Sequence, residues 1–142
     1  MVLVQWSLRN HEPPGLRRPP PRRAAVQNPT SRSLEHPGRD AIRLEGVLHA
    51  LSDPLRLEVV RELAAADCEQ SCSVFELPVS KSTTTHHFRV LRENGVIRQI
   101  YRGTAKMNSL RRDDLDALFP GLLDSVLTAA ARQAGRLAAA GG

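Results

Sequence analysis

The stretch from Ser80 to Leu110 constrains the fold more than any other part of the chain. Ser80 stands as an N-cap ahead of KSTTTHHFRVLREN, and Gly95 follows where a left-handed C-terminal cap belongs. At about 100 degrees per residue, Thr84, Phe88 and Leu91 share one inner face of this helix, with His87 at its edge. Ser82, His86 and Arg89 point the opposite way, with Thr85 beside them. Immediately after Gly95, VIRQIY alternates as a strand, Arg102-Gly103-Thr104 makes a turn and AKMNSL supplies a second strand. The pattern predicts a helix docked by its apolar face, presenting a small, hydroxyl-bearing and basic face outward, followed at once by a hairpin.

The flanking segments are helical. Asp40 is placed to cap AIRLEGVLHAL, in which Ile42, Val47, Leu48 and Leu51 share a face. Ser52 offers a second N-cap, with Asp53 and Pro54 in the first turn of LRLEVVRELAAA, where proline has no helical N–H bond to lose. Leu55, Val59 and Leu63 form one stripe, widened by Leu57 and Val60. A polar break, ADCEQSC, precedes a short helical turn, SVFEL, closed by Pro78. Beyond the hairpin, Ser109 is expected to cap RRDDLDALF, whose first-turn acids suit the helix dipole. Pro120-Gly121 interrupts, and LLDSVLTAAARQA continues with Leu122, Leu123, Val126, Leu127 and Ala130 as its apolar face. Aromatic residues make up only 4% of the 142, so Leu, Val and Ala must fill the core, which favours helices. This order predicts a mainly α fold with a small β-hairpin wing, a winged helix-turn-helix.

The ends read differently. Residues 1–39 hold seven of the ten prolines and seven arginines without periodicity, and are expected to form a disordered tail. An alternative reading is that translation starts downstream, because 18 Arg against two Lys suggests a GC-rich coding sequence in which start sites are easily misplaced. Residues 40–110 then form the winged domain, 111–134 the C-terminal helices, and 135–142, GRLAAAGG, a frayed tail.

Charge singles out one part of this layout. Residues 1–40 carry seven Arg against three acids, and 41–78 carry three Arg against seven acids. Segment 79–112 has eight basic residues against Glu93 alone, and 113–142 returns to two Arg against four Asp. The basic stripe therefore covers the capped helix, the hairpin and the residues just after. A helix of this kind fits the major groove of duplex DNA, and its N-terminal N–H groups favour phosphate. Lys81, Ser82, Thr83, Thr85, His86 and Arg89 are the candidate DNA contacts on the helix, with Thr85, His86 and Arg89 nearest base edges. Arg98, Arg102 and Lys106 are the candidate contacts on the wing, mostly to phosphates.

LHALSDPLRLEVVREL followed by VSKSTTTHHFRVLRENGVIRQIYRGTAKMNSL resembles the ArsR family of winged-helix regulators over about residues 42–110. Ser52-Asp53-Pro54, with Arg56-Leu57, matches that family's opening of its second helix. Ser82-Thr83, then Thr85 through Arg92, matches its recognition helix. The resemblance implies a homodimer in which the first and last helices pair, a palindromic operator, and repression relieved by an inducer.

The sequence departs from the family's metal-sensing members. There is no Cys-x-Cys; Cys68 and Cys72 stand four apart, and the last helix contains no His. No metal or cofactor is expected. On a helix the two cysteines would lie about 6 Å apart, leaving a thiol sensor as the rival to a reduced, inert pair. No Gly-rich phosphate loop, His-Glu-x-x-His motif or nucleophile elbow is present, so an enzyme is not expected. The chain has no apolar run of membrane-spanning length and no secretory signal, which predicts a cytoplasmic protein with no membrane partner. The rival to DNA binding is a winged helix acting as a protein-interaction module.

Overall fold

Asp53, rather than Ser52, starts the second helix: its carboxylate accepts from the N–H groups of Leu55 and Arg56 at 2.8 and 3.1 Å. Ser52 instead ends the preceding helix, its hydroxyl donating to the His49 carbonyl. The computed structural model describes residues 31–141. Along them run β1 (Ser31–Ser33), α1 (Leu44–Leu51), α2 (Pro54–Ala66), β2 (Gln70–Ser71), α3 (Lys81–Glu93), β3 (Ile97–Arg102), β4 (Ala105–Leu110), α4 (Arg112–Leu118) and α5 (Leu122–Ala140). This is the predicted winged helix, with three helices ahead of a hairpin and two behind it.

The hairpin closes through a two-residue loop, because Arg102 pairs with Ala105. Gly103 takes φ +63° at the first loop position, where a primed turn calls for glycine. Ser80 caps α3 by accepting from Thr83 N–H, and Gly95, just ahead of β3, ends it at φ +78°. Gly95 N–H donates to Arg92 and Val96 N–H to Leu91, the paired bonds of a Schellman stop. Ile42 packs so close above Gly95 that an added Cβ would sit 2.5 Å from its Cγ1. The core gathers around this junction: Val47, Leu51, Val59, Val60, Leu63, Phe75, Phe88, Leu91, Val96 and Ile97, with Leu115 and Leu123 from the last helices.

Several expectations need correction. Asp40 lies in a 3-10 turn, Arg39–Ala41, and α1 begins only at Leu44, because Ile42 stays extended to reach Gly95. SVFEL makes no helix beyond a single 3-10 turn, Cys72–Val74; extended backbone at Phe75 lets its ring meet Phe88 edge-on at 5.4 Å. Ser109 caps nothing, since the β3–β4 ladder holds it opposite Arg98. The last helix continues to Ala140 instead of fraying at 135, consistent with the Ala and Leu that fill its end.

The largest correction concerns the expected tail. Residues 1–30 lie outside the described residues, but 31–39 belong to the fold. β1 pairs with β3 and β2 with β4, so the hairpin is the centre of a four-stranded antiparallel sheet, ordered β1-β3-β4-β2. Beyond β1, Leu34 N–H donates to Gln99 O, and the Gln99 N–H donates to His36 Nε2 at 2.8 Å. Burial, together with Arg98, Arg111 and Arg92, holds the His36 pKa below its ordinary value against an opposing bond to Leu34, keeping Nε2 free to accept. Arg111 Nη1 donates to Pro37 O, and Arg39 pairs with Asp114 at 2.7 Å. Polar bonds, which leave no hydrophobic pattern, tie this strap down.

Two tests follow from these contacts. Gly95→Ala forces a left-handed backbone and a collision with Ile42, and should cost about 2 kcal/mol or more in chemical denaturation. The bond from Arg39, joined by Arg111, holds the Asp114 carboxyl below its usual range despite burial. Its stabilisation is therefore complete above about pH 4 and is lost as pH falls through its depressed value. Melting curves across acid pH should show Asp114→Asn with a shallower decline than the parent chain; an equal slope would remove Asp114 from the acid-sensitive groups.

Candidate nucleic-acid interface

Presenting α3 outward requires holding its inner face, and Arg56 is central to that. Its side chain is buried, 7% exposed, beneath the end of α1. Nε donates to Ala50 O at 2.7 Å and Nη2 to His49 O at 3.1 Å, a carbonyl at the helix end that also accepts from Ser52. Nη1 lies 3.4 Å from His87 Nδ1 on α3. Because guanidinium has no acceptor, the imidazole nitrogen accepts there. Asp53 supplies the countercharge: burial alone would raise its pKa, but the N–H groups of Arg56 and Leu55, with the Arg56 charge nearby, bring it below the ordinary value. The Asp-Pro-x-Arg stretch and His87 thus lock α1, α2 and α3 together.

The other face of α3 is open. Lys81, Ser82, Thr85, His86 and Arg89 are exposed, while His87, Phe88 and Leu91 are buried. The wheel drawn from the sequence sorted these residues as the structure does. Thr83 is half-buried, its hydroxyl 2.9 Å from that of Ser80, and the Thr85 hydroxyl donates back to Lys81 O. Their oxygen lone pairs remain available as acceptors. Among the described residues, neither Lys81 nor Arg89 takes part in an ion pair.

The three wing cations do not gather on one surface. Alternation puts Arg98 and Arg102 on one face of β3, and Lys106, opposite Tyr101, on the other. Arg98 stands four residues from Arg102, near the base of the hairpin beside Asp67 and Asp113. Arg102 is at the tip, but its guanidinium makes two 2.8 Å bonds to Glu69 across the sheet. That bonding lowers the Glu69 pKa and raises that of Arg102. Lys106 sits 5.3 Å from the Tyr101 ring centre, and Arg32 of β1 lies 5.2 Å from the same ring. Sequence reasoning missed Arg32 and Tyr101, since nothing local signals that β1 joins the wing. Tyr101 and Lys106 line a cleft of about 860 Å³ facing Lys81, Thr84 and Thr85 of α3.

A buried polar chain ties the wing to α3. Arg92 Nη1 donates to Gln99 Oε1 at 2.6 Å, Gln99 Nε2 to Asn108 Oδ1 at 2.8 Å, and Asn108 Nδ2 to Gln70 O and Cys72 Sγ. Cys72 therefore belongs to the sheet's packing, whereas Cys68 is exposed in the loop after α2, so the two do not share a helix. Both thiols are free. Among the described residues, no three of His, Cys, Asp and Glu are grouped to hold a metal ion, and no helix is long and apolar enough to cross a membrane.

If the Glu69 pair holds Arg102 away from solvent anions, Glu69→Gln should raise affinity for duplex DNA in a binding titration, and more so at low salt. Unchanged affinity would mean that Arg102 makes no phosphate contact.

Residues 53–99, from the cap of α2 through α3 into β3, match the family described as bacterial regulatory protein, arsR family. An uncharacterized HTH-type transcriptional regulator of Bacillus subtilis (strain 168), YceK, is 34% identical over 89 residues, covering 61% of this chain and 88% of the relative. A crystal structure of an ArsR family transcriptional regulator aligns with a TM-score of 0.49 at 19% identity, over 64% of this chain and 92% of its own. With the family match spanning the α2–α3–β3 frame and a relative matched over most of its length, the chain belongs to the ArsR family of bacterial helix-turn-helix transcription regulators.

Proposed function

We propose that the protein is a cytoplasmic, homodimeric repressor that binds a palindromic operator, with α3 of each subunit in a major groove. The observation that carries this reading is the division of α3: every apolar residue of the inner face is packed, and the open face offers Ser82, Thr85, His86 and Arg89. A protein-interaction surface would favour Leu, Met or aromatic residues there. Backbone N–H groups at the start of α3, with Lys81 and Ser82, suit a phosphate, and Arg89 one turn further along suits a guanine edge.

Dimerisation through the first and last helices is supported by apolar surface left uncovered. Leu44 and Leu48, one turn apart on α1, are 43% and 46% exposed. Leu44 adjoins Phe119 and Leu122 at the α4–α5 junction. A second copy covering this surface would set two α3 helices on one face of the duplex, and operator symmetry would follow from the subunit symmetry.

Selection from randomised duplexes tests the reading: an inverted repeat is expected, and only unselective, salt-sensitive binding would contradict it. Repeating the selection in oxidised buffer tests the thiol pair, whose role as a sensor requires the repeat to be lost. Arg89→Ala should cost about 1–3 kcal/mol at one base position of each half-site, measured by competition with single-substitution operators. Equal weakening on all duplexes would move Arg89 to a phosphate.

A further inference from the structure

We propose that β1 makes the wing a three-stranded DNA-contacting element, in which Arg32 and Lys106, on either side of Tyr101, hold backbone phosphates at the cleft beside α3. The proposal rests on the DNA-binding reading above. It deepens that reading by naming the face of the wing that meets the duplex and a contact from outside the hairpin.

Register puts the three side chains in one row. Arg32 is opposite Tyr101 in the β1–β3 ladder, and Tyr101 is opposite Lys106 in the β3–β4 ladder. Opposite residues of antiparallel strands share a face, so the row crosses three strands on one side of the sheet and spans about 10 Å. The Arg32 guanidinium lies 5.2 Å from the ring centre and Lys106 Nζ 5.3 Å. The ring draws both cations toward it from its place between them. β1 is itself fastened just downstream. Leu34 N–H donates to Gln99 O and Gln99 N–H donates to His36 Nε2, bonds that keep Arg32 in register.

Charge distinguishes this face of the sheet from the other. On the opposite face, Glu69 neutralises Arg102 through two 2.8 Å bonds, and Arg98 stands beside Asp67 and Asp113. Among the described residues, neither Arg32 nor Lys106 takes part in an ion pair. Glu76, the acid lining the cleft, pairs with neither of them, nor with Lys81. Two cations gathered on one ring without a carboxylate leave a positive site that an anion completes.

Position selects the anion. The buried amides of Gln99 and Asn108 lie one step further in along the same face, so the row occupies the outer half of the hairpin. Across the cleft, Tyr101 and Lys106 face Lys81, Thr84 and Thr85 of α3. A helix in a major groove about 12 Å wide has a phosphate backbone on either side of it. The backbone on the wing side of α3 enters this cleft and meets the face that carries Arg32 and Lys106. The face carrying Arg98 and Arg102 looks away from it.

The parent chain, Arg32→Gln, Lys106→Gln and the double variant should be titrated with a duplex carrying the selected inverted repeat, across about 0.05–0.3 M salt. The slope of log affinity against log salt should be shallower by about one for each single variant and about two for the double, with preference for the repeat over a scrambled duplex retained. Arg98→Gln should leave the slope unchanged. Tyr101→Leu removes the ring but no charge and should weaken binding to both duplexes, whereas Tyr101→Phe should match the parent. Arg32 is exposed, so Arg32→Lys should keep the parent's slope; a shallower one would trace the effect to the packing of β1 and overturn the contact. Parallel slopes for Arg32→Gln and the parent would overturn the proposal while leaving the DNA-binding reading intact, as would a loss of slope in Arg98→Gln instead. A parent chain that prefers no sequence would overturn that reading and this proposal with it. Replacing chloride by inorganic phosphate at equal ionic strength separates a backbone phosphate from a free one. Equal effects on the parent and the double variant are expected; release of DNA from the parent alone would assign the site to free phosphate and overturn the DNA contact.

Discussion

The guanidinium of Arg56 is the interaction on which the rest of the arrangement depends. A buried cation is costly unless its hydrogen bonds and its charge are both matched. Here two α1 carbonyls take its protons, His87 faces its third nitrogen, and Asp53 provides the charge while capping the helix that carries Arg56. The result is a junction of three helices with one allowed geometry. Apolar packing of Leu63, Phe88 and Leu91 would tolerate sliding of α3 against its neighbours; directional bonds to fixed carbonyls do not. The residues on the open face of α3 are therefore aimed by side chains that lie beneath it, Arg56 and His87 buried and Asp53 half-buried.

A second polar system performs the same task for the wing. Gln99 and Asn108 are 1% and 0% exposed, yet both are amides. They face each other across the β3–β4 ladder, and Arg92 reaches Gln99 from the last turn of α3. An all-apolar strand pair would have buried the same area, but it would not fix the wing's position relative to the helix. The amides make the hairpin an extension of α3 rather than a loosely attached loop.

Much of this was legible in the sequence, because capping and helical periodicity are local. Ser80, Gly95 and the Phe88–Leu91 face define α3 without any tertiary knowledge, and the Arg102-Gly103-Thr104 turn defines the hairpin. What was not legible is held by long-range polar pairing. Nothing in Ser31–Ser33 or His36-Pro37 signals a strand, since that segment is bound by its backbone and by partners some sixty or more residues away. The caps misassigned to Asp40, Ser52 and Ser109 share one cause. Each is a good capping residue with a competing demand on its backbone: Ile42 reaching Gly95, Asp53 already capping α2, and the β4 ladder. In the candidate interface, the outer face of α3 was readable from the wheel. The pairing of Arg102 with Glu69 and the place of Arg32 beside Tyr101 depend on strand neighbours that no local pattern encodes.

Methylation interference on a selected operator reports whether α3 enters a major groove. Methylation at guanine N7 blocks the major-groove edge, and at adenine N3 the minor-groove edge. Two clusters of interfering guanines are expected, one per half-site, with centres about 10 base pairs or a multiple of that apart. Interference confined to adenine N3, or absent from both bases, would contradict a major-groove placement of α3.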